Sequence, residues 1–149
     1  MKHSPWVCLT LLIMSSFVFA APSSPSPIAK NIVQNAKKEC AQFENGQFET
    51  TKHAITRHDL TGDGHPEEII DAGQFACSTS VSMWGGSGGT MLWVIVNGKA
   101  YEFLANRWKI VDFDNQQILL LAVHPSECSD SIGPCYRALV WSDGFITTQ

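Results

Sequence analysis

From Thr90 to Thr148 the chain alternates apolar, strand-like runs with tight turns, and this restricts the possible folds more than any other feature. TMLWVIV and KAYEFLA flank Asn97-Gly98, WKIVDF and QQILLLAV flank Asp114-Asn115, and CYRALVW and FITTQ flank Ser142-Asp143-Gly144. Asn-Gly between two alternating runs is a hairpin signal, because both central residues of such a turn need positive φ. That turn pairs Val96 with Lys99, Val94 with Tyr101 and Leu92 with Phe103. Leu92, Val94, Val96, Tyr101 and Phe103 then share the expected core face. Met91, Trp93, Ile95, Ala100, Glu102 and Leu104 take the other face, which is too apolar to be fully wet. The run ILLLAV reads as a central strand covered on both sides.

The first half of the chain supplies something to cover the second face. Ser26 can cap a helix, and Pro27 suits its first position, where a missing N–H costs nothing. Ala29, Ile32, Val33, Ala36, Cys40 and Phe43 then form one apolar stripe, and Asn45-Gly46 stops the helix. The expected fold is α+β: an N-terminal helix packed on a meandering antiparallel β-sheet of about six to eight strands, one domain over residues 28–149.

Residues 1–20 carry one lysine and an apolar run, with Val18 and Ala20 small enough for signal cleavage before Ala21. They read as a signal peptide, followed by a Pro/Ser tether at 21–27. The expected location is periplasmic or secreted, with no membrane span after cleavage. Ten basic against fourteen acidic residues give a net charge of −4, a poor surface for nucleic acid. With Cys8 in the signal, Cys40, Cys77, Cys128 and Cys135 remain, an even count that implies two disulfides. Three pairings are open. Cys128 and Cys135 flank SDSIGP, a turn-forming segment. Closing that short loop is the easiest pairing and leaves Cys40 for Cys77.

One stretch has the composition of a cation loop. In DLTGDGHPEEIID, carboxylates fall at loop positions 1, 5 and 9 (Asp59, Asp63, Glu67), with the Thr61 oxygen and the His65 carbonyl between them and Gly64 at the bend. Ile70 stands where a helix–loop–helix hand would place its glutamate, so this is not that motif. HDLTGDGHPEEIID resembles the D-x-[DN]-x-D-G-x-x-[DE] loops of FG-GAP/VCBS-type secreted repeats. With the cysteine-ended helix before it, and with Cys77 and SMWGGSGG after it, the chain resembles a group of small exported bacterial proteins with no assigned activity. The resemblance implies a weakly held calcium at Asp59, Thr61, Asp63, His65 and Glu67. Thr61 departs from the Asp or Asn preferred there, and a single copy is too short for a propeller. The alternative is a plain turn, since Asp59 can bond its own backbone.

Gly85-Gly86-Ser87-Gly88-Gly89 matches G-x-S-x-G in letters only, because a strand follows it where a nucleophile elbow needs a helix. Trp84, beside those glycines, is expected to be exposed. With Gly85, Gly86 and Ser87 it is the candidate contact for an envelope or extracellular protein partner. The function expected is an exported, non-catalytic binding module. The alternative is a small periplasmic hydrolase using His124 or the acidic loop residues.

Overall fold

The computed structural model describes residues 24–128, 133 and 135–148. The expected signal peptide and the start of the expected tether lie outside the described residues. Helix α1 runs Pro27–Gln42, and the Ser26 hydroxyl accepts from the Ala29 amide as its cap. Eleven short strands follow: β1 (Phe48–Thr50), β2 (Ile55–His58), β3 (Glu67–Asp71), β4 (Phe75–Cys77), β5 (Gly85–Gly86), β6 (Gly89–Val96), β7 (Lys99–Ala105), β8 (Arg107–Phe113), β9 (Gln116–Val123), β10 (Cys135–Trp141) and β11 (Phe145–Thr148).

The fold is mostly β with one helix, but the single meandering sheet is corrected to three antiparallel sheets. One has β2, β3 and β6 in order, with β7 on the far side of β6 and β5 on the near side; the second runs β11-β10-β9-β8; β1 and β4 form a two-stranded ribbon. The meander breaks at Asn106, whose amide donates to the Ala122 carbonyl as the chain leaves β7 for the second sheet. The cause is the number of apolar faces. A single 16-residue helix cannot cover so many strands, so the second sheet folds over the first and they bury their alternating residues together.

Two cores result. Between the sheets lie Ile69, Leu92, Val94, Val96, Leu119, Leu121 and Leu139, with Tyr101 and Phe103 packed against them. On the other side of the first sheet, Ala29 and Ile32 of α1 meet Ile70, Ile95, Trp93 and Ala100. Both faces of the Asn97-Gly98 hairpin are therefore used as its alternation implies, in the register expected. The hairpin at Asp114-Asn115 also forms as read, Phe113 opposite Gln116. ILLLAV differs from its expectation. Leu119, Leu121 and Val123 are buried, while Ile118, Leu120 and Ala122 are only half-buried, because no element among the described residues packs on the outer face of the second sheet.

Disulfides join Cys40 to Cys77 and Cys128 to Cys135, with Cα atoms 5.6 and 6.0 Å apart. The first ties α1 to β4, and the second ties the segment after β9 to β10. Two disulfides fit an oxidising compartment. Among the described residues no helix is long and apolar enough to cross a membrane.

Candidate binding cleft

The loop from Asp59 to Glu67 is closed by its own carboxylates. Asp59 accepts from the amides of Gly62 (2.8 Å) and Gly64 (3.0 Å), and Asp63 accepts from the amide of His65 (2.8 Å). Glu67, only 7% exposed, lies beneath the loop and accepts from the amides of Leu60 (2.7 Å) and Thr61 (3.1 Å) and from the Thr61 hydroxyl (3.3 Å). Among the described residues no three His, Cys, Asp or Glu side chains come together as a metal group. The arrangement does not fit a shell of three carboxylates, because both Glu67 oxygens already accept from Leu60 and Thr61. Its neighbour Glu68 is equally buried. It pairs with Arg57 (2.7 Å) and accepts the Ser26 amide on both oxygens, so it holds the start of α1 to the sheet.

The glycine segment is a tight hairpin. β5 pairs with the start of β6, and the Met91 amide donates to the Trp84 carbonyl. At Gly89, φ is +118°, and a Cβ would come within 2.6 Å of the Ala105 backbone, so only glycine fits. At Gly86 and Gly88 a Cβ would meet nothing within 4 Å, so both positions have room for a side chain. Trp84 is not the open anchor expected. It is half-buried, its ring meets Phe48 and Phe75 edge-on at 5.6 and 5.5 Å, and its Nε1 donates to Glu39. The sequence reading missed those partners because Phe48 and Phe75 face each other only once β1 pairs with β4. The Gly85 backbone is held in the pairing of β5 with β6, while Gly86 and Ser87 stay exposed.

Ser87 instead forms part of something the sequence does not display. The hairpin tip overhangs a cleft of about 680 Å³ where the two sheets part, beside the free edges of β7 and β11. Leu121, Val123 and Leu139 from the second sheet and Phe103 from the first make its apolar floor. Around the floor stand the polar Ser87, Glu102, His124, Ser126, Glu127 and Arg137, with the apolar Met91 and Leu104 among them. Arg137 is tied to Glu127 through both the side chain (3.2 Å) and the carbonyl (2.8 Å).

Compared with protein-family models, curated proteins and solved structures, the chain matches none. The site must therefore be read from its own chemistry.

His124 lies on the rim, half-buried, capping the short turn Pro125–Glu127: its Nδ1 accepts from the Ser126 amide (3.2 Å) and lies 2.7 Å from the Ser126 hydroxyl. Every recorded hydrogen bond of the ring is on Nδ1, and among the described residues no acid orients Nε2. The acidic loop residues do not line this cleft. On the other side of the sandwich, His58 packs edge-on against Trp108, whose Nε1 donates to Asp71 (3.0 Å) and links the two sheets. Burial pushes the His58 imidazole below its ordinary value, against the opposing pull of Asp112.

Proposed function

We propose that the chain is an exported, non-catalytic binding module, working in the periplasm or after secretion, that holds its ligand in the cleft between the sheets. The observation that carries this reading is the cleft's build: an apolar floor drawn from both sheets beneath a rim of mostly polar groups. Its volume of about 680 Å³ falls in the range of ordinary ligand sites. Arg137 and Glu127 on the rim are paired with each other, and the His124–Ser126 contact serves as a turn cap, so neither is set up for proton transfer. Calcium is not required by this reading, since the 59–67 loop closes on its own amides.

The experiment is a titration with anilinonaphthalene sulfonate, an apolar anion that fluoresces when desolvated. The native protein should give saturable, single-site fluorescence. Gly88 lines the cleft and has room for a side chain, so Gly88→Trp should lower that signal while the urea midpoint stays put. Undiminished fluorescence in Gly88→Trp would place the dye elsewhere and count against the cleft.

A further inference from the structure

We propose that the ligand of this cleft is an extended polypeptide, which adds a strand to the free edge of β7; this inference rests on the cleft reading above. Among the described residues β7 pairs with β6 alone. Asn97 and Gly98 both have positive φ, at 49° and 74°, as a two-residue turn requires. Such a turn fixes the ladder. Lys99, Tyr101, Phe103 and Ala105 exchange their N–H and C=O with β6, so those of Ala100, Glu102 and Leu104 point the other way. Glu102 and Leu104 line the cleft, and no hydrogen bond recorded among the described residues occupies their outward backbone groups. Donors and acceptors repeating every second residue match another extended backbone, and an acyl chain has nothing to offer them.

β7 also lacks two of the usual protections of an exposed edge. Its register with β6 runs unbroken from Ala105 opposite Thr90 to Lys99 opposite Val96, so it has no bulge, and it contains no proline. By contrast, the edge strands β2 and β11 have only four residues each, and β8, as long as β7, contributes no residue to the cleft.

The edge also selects side chains. On an added strand, a residue opposite Phe103 points the same way as Phe103, toward the cleft floor and Leu139. Residues opposite Glu102 and Leu104 point to the other side. The exposed Glu102 carboxylate accepts from Trp93 Nε1 (3.2 Å) and has no cation in the ion pairs among the described residues. The chain as a whole is acidic. The segment that fits therefore alternates apolar residues facing in with basic residues facing out.

The test uses a capped seven-residue peptide alternating valine with lysine, measured by calorimetry on the mature, disulfide-bonded protein. The parent peptide should bind. N-methylation at two of the lysines, whose amides would bond β7, should weaken it by about tenfold or more, the effect of losing two backbone hydrogen bonds. Leu104→Pro removes one outward N–H and no bond to β6, and should weaken binding in the same way. Glu102→Gln should weaken the lysine peptide but not its serine-substituted analogue. Should Leu104→Pro fail to fold, the N-methylated peptide decides. Equal binding of parent and N-methylated peptides would overturn the added strand. A protein that takes anilinonaphthalene sulfonate in the cleft but not the peptide would also overturn it, leaving the cleft reading intact. A protein that takes neither would remove both.

Discussion

Glu67→Ala should be among the most damaging single changes in the chain, because three donors depend on that carboxylate. The Leu60 amide is buried and would be left without an acceptor, at a cost of about 1–3 kcal/mol. The Thr61 amide is partly buried and adds about 1 kcal/mol, since water can reach it in part. Leu60 itself, 2% exposed in the core between the sheets, would also lose its anchor. Together these give about 3 kcal/mol, or about 9 °C in melting temperature for a domain of this size. Asp63→Ala removes one bond at an exposed residue and should cost about 0.5 kcal/mol. Glu67→Gln keeps an acceptor for both amides and should fall between the two. Urea unfolding with the disulfides intact measures all three, with the denaturant slope checked for constancy. If Glu67→Ala costs no more than Asp63→Ala, the buried acid is not what closes the loop, and the account of this turn is wrong.

Calcium at about 2 mM should move the melting temperature by less than about 1 °C, because stabilisation by mass action needs a site that binds the folded state. A rise of several degrees that disappears in Asp63→Ala would restore the three-carboxylate reading. Since burial lowers the His58 pKa in the folded state, the unfolded chain takes up the proton first. Stability should therefore fall as the pH drops below about 6.5 toward the folded value, and His58→Gln should flatten that part of the urea-midpoint profile. Gly89→Ala combines a positive φ with a backbone clash and should cost about 3 kcal/mol in urea unfolding, whereas Gly86→Ala should be neutral within about 0.5 kcal/mol.

What could be read from the sequence was local. The Asn97-Gly98 turn, the two faces of its hairpin and the Ser26-capped helix all appear as expected, because each depends on residues a few positions apart. The disulfides were also legible, since an even thiol count and a short turn limit the pairings. The split into separate sheets was not. It depends on Asn106 bonding Ala122, a contact without a local signature. The alternation in ILLLAV was hidden for a related reason: its outer residues are as apolar as its inner ones, so period two leaves no trace in composition. The loop acids were recognised as a set, but Glu67 serves the buried Leu60 amide, which depends on how β3 lies beneath the loop. Trp84 was misplaced because its aromatic neighbours come from β1 and β4. The cleft was invisible for the strongest reason: its floor and rim come from β7, the glycine hairpin and the second sheet, and no segment holds enough of it to form a motif.

The competing apolar surface is the outer face of the second sheet, where Phe113, Tyr136 and Ile146 are 68%, 57% and 53% exposed. Methyl-resolved NMR during titration with the valine–lysine peptide, and separately with anilinonaphthalene sulfonate, distinguishes the two. The account predicts shifts at the methyl groups of Leu121, Val123 and Leu139 on the cleft floor, with Val111, Ile118 and Ile146 unmoved. Shifts confined to Val111, Ile118 and Ile146, with the cleft floor unchanged, would contradict it.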